Sequence, residues 1–365
     1  MTQATLSVDR ARARNLVCLA LRKTECCFGG ERKTMTSIQS NYRAKRVYEI
    51  KSSEGRRELR LSDRVVELGE KEFGWYQGVA DWLPSVRGVA DLSRELGMDE
   101  ARVPKFIDAL EKSGLLYKVD DGPKSMSGLE FHARFDAVLK SWLSEAFAHP
   151  FWERMMSGKG SARLFTGWLI ELYHYTKNAN RHMPLSCAHA HEKPIKQLRA
   201  KHYAEEWNHF HYFMKSLKEL GFTEPQIAES VPLPMTLALS NFMRQAARED
   251  ILAYSICSAV LEGTTTDRKT YNPYYERAGE LYGVPKGAIT PIYAHLDLDV
   301  KYQHSDLFKD ILEYVPEMSA ERASTVLDYG HQLVEHIWMW TDNIEKYYQV
   351  ETNPVPRRPF DVRVD

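Results

Sequence analysis

From about residue 129 to residue 350, apolar residues recur with helical spacing, and the alternation typical of strands is absent. The pattern predicts helices at about 130–157, 160–180, 188–220, 235–270, 286–313 and 319–349. Breaks that contain glycine or proline separate them, such as Gly158-Lys-Gly160 and Met183-Pro184. Because amphipathic helices bury their apolar stripes against one another, this part of the chain is predicted to fold as an all-α bundle of six or more helices.

A different pattern precedes the bundle. Polar and apolar side chains alternate from Arg46 to Ile50 and from Glu58 to Leu61. Three short helical periods follow, two of them closed by Gly97 and Gly114, before a β-like run at Leu115 to Tyr117. This order predicts a small winged-helix-like α+β domain, so the fold class expected for the whole chain is mainly α.

The chain has 365 residues, which is enough for two domains. The predicted segments are a basic, disordered arm (1–45), a winged-helix-like peptide-recognition domain (46–122), a metal-binding helical bundle (129–350) and a tail (351–365). All 13 histidines lie between His132 and His336. We therefore expect the chemistry in the C-terminal two-thirds of the chain.

Composition argues against several partners and compartments. The 49 basic and 50 acidic residues give a net charge of −1, which provides no general attraction to nucleic acid or anionic lipid. From Glu54 to Asp120 there are 11 basic and 14 acidic residues, a net −3, which is the wrong sign for a phosphate-binding surface. No apolar run approaches the ~18 residues of a membrane span, and the five cysteines have no repeated spacing. A cytoplasmic protein is expected.

Acidic and histidine residues recur at helical spacing in three successive predicted helices. Glu206 and His209 are three residues apart, and His295 and Asp299 are four apart, so each pair shares a helix face. Glu262 ends the apolar run that begins at Leu252, where an unpaired buried carboxylate would be costly. Each feature alone is more often a solvated glutamate or a core histidine. Together they predict a metal site whose nitrogen and oxygen ligands suit iron or manganese.

The order of these motifs resembles that of the heme-oxygenase-like diiron oxidases and oxygenases. The resemblance rests on the HPFWERMM stretch, the ELYHYT stretch, Glu206-Trp-Asn-His209, Glu262 and His295-Leu-Asp-Leu-Asp299, in that order. It covers roughly 220 residues and implies a heme-oxygenase-like helical bundle. It also implies that two Fe(II) ions, with manganese as the alternative metal, activate O2, and we expect a homodimer.

Site residues follow from the resemblance residue by residue. It implies that the metal ligands are Glu206, His209, Glu262, His295 and Asp299. It further implies that Tyr173 and His174 line the substrate cavity. A rival ferritin-like pairing of Glu171 and His174 is discounted because the two Glu-x-x-His motifs are consecutive rather than separated by a helix with a lone glutamate.

The sequence departs from the family pattern at the third ligand of helix five. The family continues His-x3-Asp-x2-His, whereas here Tyr302 lies three residues after Asp299 and the nearest histidine is His304. In a regular helix His304 would lie on the wrong face. Either a π-type bulge brings His304 to the metal, or Tyr302 takes that position as a phenolate ligand.

Four further histidines are interpreted as surface or satisfied core residues. They are His202, His211, His331 and His336. His331 or His336 remains an alternative source of a missing ligand from the last helix.

The N-terminal domain resembles the peptide-chaperone domain of pyrroloquinoline-quinone biosynthesis. The similarity lies in Val65-Val-Glu-Leu68 and in the RGVADLSREL and FIDALEKSGLLY stretches. In that family an extended leader peptide adds to the small sheet as a further strand, which implies a precursor leader peptide as a partner. A domain that only packs against its neighbour is the equally weighted alternative.

The function expected from the sequence is that of an O2-activating non-heme iron oxidase or oxygenase in natural-product biosynthesis. Its substrate would be a small amino-acid-like molecule or a ribosomally made peptide. One alternative is a metal-free enzyme of the thiaminase or quinone-synthase type with Cys257 as the nucleophile. The other is a non-catalytic peptide-binding adaptor whose metal site has been lost, for which Tyr302 is the main indication.

Overall fold

A computed structural model describes residues 16–18, 42–118 with gaps at 46, 48, 54, 62–63 and 83–87, and residues 124–262, 268–302 and 304–360. The chain forms two compact units, Met1–Pro123 and Lys124–Asp365. Helices dominate the second unit, and most of the strands lie in the first.

The first unit combines small sheets with three helices. Its elements are β1 (Leu16–Cys18), β2 (Tyr42–Ala44), β3 (Glu49–Ser53), β4 (Arg56–Arg60), β5 (Val65–Gly69), α1 (Glu70–Trp82), α2 (Val89–Leu96), α3 (Val103–Ser113) and β6 (Leu116–Lys118). One sheet has the order β1-β5-β4-β3, and β2 pairs with β6. Leu59 and Val66 of the sheet are fully buried with Leu110 of α3 in one core. Helices α2 and α3 end at Gly97 and Gly114, whose positive φ angles close them.

Two short strands occur within the segment that was predicted to be a disordered arm. Leu16–Cys18 pairs in parallel with β5, and its apolar residues suit a strand. Tyr42–Ala44 pairs with β6, and the Tyr42 hydroxyl donates a hydrogen bond to Glu111. Disorder of the remaining arm stays a prediction, because the rest of residues 1–41 lies outside the described residues. The winged-helix class of this unit stays a prediction.

The second unit is a helical bundle. Its elements are β7 (Ser125–Met126), α4 (Gly128–Phe147), α5 (Pro150–Met156), α6 (Ala162–His189), α7 (Lys193–Glu206), α8 (Phe210–Glu219), α9 (Glu224–Ala228), α10 (Pro234–Glu249), α11 (Ile251–Glu262), α12 (Arg268–Tyr282), α13 (Lys286–Tyr302), α14 (Leu307–Leu312), β8 (Met318–Ser319) and α15 (Ala320–Tyr348). None of the described helices is both long and apolar enough to cross a membrane.

Three helix boundaries differ from the predicted ones and matter for the site. Helix α6 continues through Pro184 to His189, because the packing of its buried residues outweighs the lost backbone hydrogen bond. The predicted helix at 188–220 is divided into α7 and α8 by a turn at residues 207–209. The predicted helix at 235–270 is interrupted at Asp250, which has an extended backbone and accepts a hydrogen bond from the Leu252 amide.

Helix α11 lies at the centre of the bundle. All ten residues from Ile251 to Val260 are buried, as expected for a helix that is apolar on every side. It packs against α10, α14 and α15, and Glu262 is its last residue. The apolar run therefore fixes the position of one carboxylate beside the ends of α7 and α13, where the candidate site lies.

Candidate metal centre

Seven side chains from α7, the turn between α7 and α8, α11, α13 and the turn after α13 form two adjoining clusters of metal-ligand type. The first cluster is Glu206, His209, His295 and Asp299, and the second is His202, Glu262 and His304. Within each cluster one ligand atom per residue lies within 4.8 Å of the others.

The first cluster joins two segments. His295 and Asp299 lie one turn apart on α13, and His295 Nδ1 is 3.2 Å from Asp299 Oδ2. Glu206 ends α7 and His209 precedes α8, so the turn between the two helices places Glu206 Oε2 2.8 Å from His209 Nδ1. The His209 and His295 ring centroids are 4.7 Å apart. Two imidazoles and two carboxylates therefore converge on one position.

The second cluster is linked to the first by Glu206. His202 Nε2 lies 3.1 Å from Glu262 Oε1, and the rings of His202 and His304 are 4.6 Å apart. His304 Nδ1 lies 3.1 Å from Glu206 Oε1, while the other Glu206 oxygen faces His209 in the first cluster. Glu206 therefore presents one oxygen to each cluster, which is the geometry of a bridging carboxylate.

The residues present fit a divalent metal. Several buried ligand-type atoms have no well-aligned hydrogen-bond partner among the described residues. They are both ring nitrogens of His202, Glu206 Oε1, His209 Nδ1 and His304 Nδ1. Leaving buried polar atoms in this state is unfavourable unless something else satisfies them. Imidazole nitrogens with carboxylate oxygens form a ligand set that iron and manganese accept.

Charge at the site also favours a cation. Burial tends to raise the pKa of Glu206, but the contacts with His209 and His304 outweigh it and lower the pKa of this carboxyl. Burial likewise opposes protonation of His304, yet Asp299 and Glu206 outweigh burial and raise the pKa of His304 to about 11. The carboxylates therefore stabilise positive charge at the position of the second cluster.

A cavity of about 240 Å³ borders the two clusters. Its ionisable lining residues include Glu206, Glu262, Asp299 and several of the clustered histidines. Most of the remaining wall is apolar or aromatic and includes Trp152, Trp168, Tyr175, Phe213, Tyr275 and Trp340. A small molecule in this cavity would be in contact with the ligand side chains.

Tyr302 and His304, the two alternative ligands after Asp299, have different surroundings. Helix α13 ends at Tyr302 without a π-bulge, and His304 begins a short 3-10 turn that places its buried side chain in the second cluster. The Tyr302 ring stacks on His304, with centroids 5.7 Å apart. The geometry thus brings His304 into the cluster by ending the helix. That the seven residues bind metal stays a prediction.

His202 was missed in the sequence and interpreted as a surface or core residue. It lies four residues before Glu206, so both side chains share a face of α7. That spacing could have identified it, because His202, Glu206 and His209 form a continuous series of three metal-ligand residues.

Tyr173 and His174, which were expected to line the substrate cavity, are not among the residues that line this cavity. The face of α6 toward the cavity contains Leu172, Tyr175, Thr176, Ala179, His182 and Met183, which recur with helical spacing. His174 faces elsewhere and lies 2.9 Å from the Ser230 hydroxyl, and Tyr173 packs on Phe210.

His331 and His336 do not join the clusters. His331 Nε2 lies 3.5 Å from Glu145 Oε2, and His336 Nδ1 lies 2.8 Å from the Gln332 carbonyl oxygen. His211, which was also interpreted as a surface or core residue, packs against Phe210 at a ring-centroid distance of 4.1 Å.

Comparison with known proteins bears on this arrangement. Residues 166–335 match the model of a family described as iron-containing redox enzymes. The matched segment contains all seven clustered residues. A search of curated proteins found no match.

Solved structures with a similar fold include a domain of unknown function with a heme oxygenase-like fold from Shewanella denitrificans. It is 18% identical, with a TM-score of 0.54, over 64% of this chain and 99% of that one. A TenA homologue from Pseudomonas syringae pv. tomato (13% identity, TM-score 0.48) matches over 62% of this chain and 97% of its own. A TenA homologue from P. horikoshii (13% identity, TM-score 0.48) matches over 59% of this chain and 98% of its own. The first of these likenesses confirms the predicted heme-oxygenase-like helical fold.

Proposed function

We propose that this protein is a non-heme iron oxidoreductase that uses O2 and binds two iron ions in the adjoining clusters. The observation that carries the proposal is the convergence of seven imidazole and carboxylate side chains on two neighbouring positions beside a largely apolar cavity. The match of residues 166–335 to iron-containing redox enzymes supports iron as the metal.

The chain's own groups define how the irons would be held. Glu206, His209, His295 and Asp299 would bind one ion, and His202, Glu262 and His304 the other. The second set is a two-histidine, one-carboxylate arrangement, which leaves positions open in non-heme Fe(II) oxygenases. Bound Fe(II) would supply the electrons that reduce O2.

Glu205 orients one of the ligands from outside the cluster. Its Oε2 lies 3.3 Å from His304 Nε2, on the opposite side of the ring from Glu206 and Asp299. If the Nε2–H of His304 donates a hydrogen bond to Glu205, Nδ1 keeps a lone pair directed at the cluster. This is the carboxylate-histidine-metal arrangement that fixes ring orientation and tautomer in metal sites.

The substrate we propose is a small amino-acid-like molecule or one side chain of a ribosomally made peptide, because a cavity of about 240 Å³ suits a group of that size. The peptide alternative is supported by strand β3, which lies at an edge of its sheet with Ile50 48% exposed. Ile50→Lys should then weaken binding of the precursor peptide without changing iron content or turnover of a small free substrate. Equal peptide binding by both proteins would contradict this role.

Cys257 lacks the properties of a nucleophile for the metal-free alternative. Burial raises the pKa of the Cys257 thiol well above its usual range, and the thiol donates a hydrogen bond to the Tyr329 carbonyl. Cys257 also does not line the cavity. A thiaminase-like enzyme remains compatible with the fold itself, but this chain's site favours metal chemistry. The position of His304 beside Glu206 likewise argues against the adaptor alternative, in which Tyr302 marked a lost metal site.

Iron titration under anaerobic conditions tests the proposal. The native protein should retain close to two Fe(II) per chain, and His295→Ala and His202→Ala should each lose about one. Glu206→Ala should lose most of the iron from both clusters, because the two oxygens of the native Glu206 face one cluster each. Exposed His191 provides a control, and His191→Ala should keep the native content.

Admission of O2 to the loaded proteins provides the second measurement. The native protein should consume O2 faster than the same concentration of free Fe(II), and Glu206→Ala should not. Unchanged iron content in the Glu206, His202 and His295 variants would rule out the proposed centre.

A further inference from the structure

Two polar atoms on the cavity wall outside the metal clusters, His182 Nε2 and Trp152 Nε1, are buried and have no hydrogen-bond partner among the described residues, and the histidine is the more deeply buried side chain. His182 of α6 lines the cavity and is 3% exposed. Its Nδ1 lies 2.9 Å from the Tyr254 hydroxyl, and its Nε2 has no hydrogen-bond partner among the described residues. The hydroxyls of Thr176 and Ser258, which also line the cavity, already donate to the Leu172 carbonyl and to Glu262. His182 Nε2 is therefore left as a polar atom without a protein partner.

The cationic side chain of Arg199 lies beside Tyr254, the residue that contacts His182 Nδ1. Its guanidinium lies over the Tyr254 ring, 4.5 Å from the centroid, and the side chain is 1% exposed. A nearby cation stabilises negative charge on the phenol oxygen, which makes the Tyr254 hydroxyl a stronger hydrogen-bond donor. With Tyr254 as the donor to His182 Nδ1, the single imidazole proton resides on Nε2.

His182 remains neutral under ordinary conditions. Burial, together with the nearby charge of Arg199, lowers the pKa of His182 to about 3. Nε2 is therefore a neutral N–H donor in an apolar cavity, and such a donor favours a ligand with a matching acceptor.

We propose that His182 Nε2 donates a hydrogen bond to a carbonyl or carboxylate oxygen of the substrate, with Tyr254 and Arg199 as the residues that position it. The part of the substrate that lies against the aromatic and aliphatic residues of the wall would be apolar. This inference deepens the proposed function by assigning a substrate-binding group to the same cavity. The binding itself does not require iron.

Three small probes of similar size test the inference on the full-length, metal-free protein. They are ethylbenzene, acetophenone and phenylacetate, and calorimetry measures their dissociation constants. One of the two oxygen-bearing probes should bind about tenfold more tightly than ethylbenzene, as expected for one well-made hydrogen bond in a buried site. The stronger of the two then identifies a neutral carbonyl or a carboxylate as the preferred group.

His182→Phe should abolish this preference while ethylbenzene still binds. His174→Asn is the matched control, because His174 is also a buried histidine but does not line the cavity. An unchanged preference in His182→Phe, or no preference in the native protein, would overturn the inference. Iron binding is measured separately, so failure of the metal centre and failure of the His182 contact give different results.

Nitrogen-15 NMR of labelled histidine gives a test that does not depend on the folding of a variant. In the native protein His182 should be a neutral imidazole protonated at Nε2. Tyr254→Phe removes the donor to Nδ1, so the tautomers should mix and the probe preference should fall, with iron content unchanged. A native His182 protonated at Nδ1 would contradict the proposal, because Nε2 would then be unable to donate.

Discussion

The bundle contains two Glu-x-x-His motifs, one on α6 and one at the junction of α7 and α8, whose buried carboxylates have different surroundings. The Glu171 carboxylate on α6 accepts hydrogen bonds from the Tyr348 hydroxyl (2.9 Å), the Leu233 amide (3.0 Å) and the Thr236 hydroxyl. Burial raises the pKa of Glu171, and these bonds offset the effect only in part. Its hydrogen-bonding capacity is met entirely by the chain.

The Glu206 carboxylate has the same sequence context but is surrounded by imidazoles. Burial acts on it in the same direction, yet the contacts with His209 and His304 lower its pKa. Glu206 Oε1 has no well-aligned hydrogen-bond donor among the described residues, although His304 Nδ1 lies 3.1 Å away. The difference shows that a buried carboxylate is structural when neutral donors satisfy it. It is suited to a cation when histidines converge on it and leave its oxygens available.

The largest effect that separates the two motifs should be on folding stability without metal. Glu171→Ala leaves three buried donors unsatisfied, which should destabilise the protein by about 4 kcal/mol. Glu206→Ala leaves no neutral donor unsatisfied and costs only the attraction to His209 and His304, which can lose their protons, so the metal-free protein should lose less stability than Glu171→Ala does. Urea unfolding of both variants measures the difference. Equal losses in the two variants would show that Glu206 is also structural.

Iron should reverse this ranking. At free Fe(II) about 100-fold above the dissociation constant, each bound ion stabilises the folded native protein by about 3 kcal/mol, and two ions together by about 5 kcal/mol. Glu171→Ala should keep most of that gain, whereas Glu206→Ala should show almost none. Anaerobic unfolding with and without Fe(II) gives both values. A full gain in Glu206→Ala would place the iron elsewhere.

The histidines of the two motifs should differ in their effect at low pH. Burial, with a smaller contribution from Lys177, lowers the pKa of His174 to about 4. The unfolded chain therefore binds a proton near pH 6.5 that the folded chain does not bind until about pH 4, so stability falls as pH falls through this window. Between pH 6.5 and 5 this amounts to about 2 kcal/mol.

His174→Asn should remove that pH-dependent loss and can still bond to Ser230, which lies 2.9 Å from the imidazole in the native protein. Unfolding of the two proteins across this range measures the effect. Parallel pH profiles would show that His174 is not the group responsible.

The sequence predicted the parts of the site that depend on periodicity. The spacing of His295 and Asp299 and the apolar run before Glu262 indicated their positions, because a helix face and a buried run constrain a side chain directly. Equal spacing could not separate Glu171 from Glu206, since Thr236 and Tyr348, which satisfy Glu171, are distant in sequence.

Two other features depended on where helices end. His304 enters the second cluster only because α13 stops at Tyr302 and a 3-10 turn follows. His182 faces the cavity because α6 continues through Pro184, where a break was predicted from the usual effect of proline. In both cases tertiary packing overrides the local signal, and a single sequence does not contain that information.

The smallest expected effect concerns Glu205, which contacts a candidate ligand but is not itself in either cluster. Its Oε2 lies 3.3 Å from His304 Nε2, so it orients the ring whose Nδ1 faces Glu206. Glu205→Ala should therefore weaken iron binding at the second cluster by about tenfold, the lower end of the range for such supporting carboxylates. Glu205→Gln keeps an acceptor oxygen and should recover most of the affinity. Competition with a chelator of known affinity measures both variants, and a loss as large as that in Glu206→Ala would place Glu205 among the ligands.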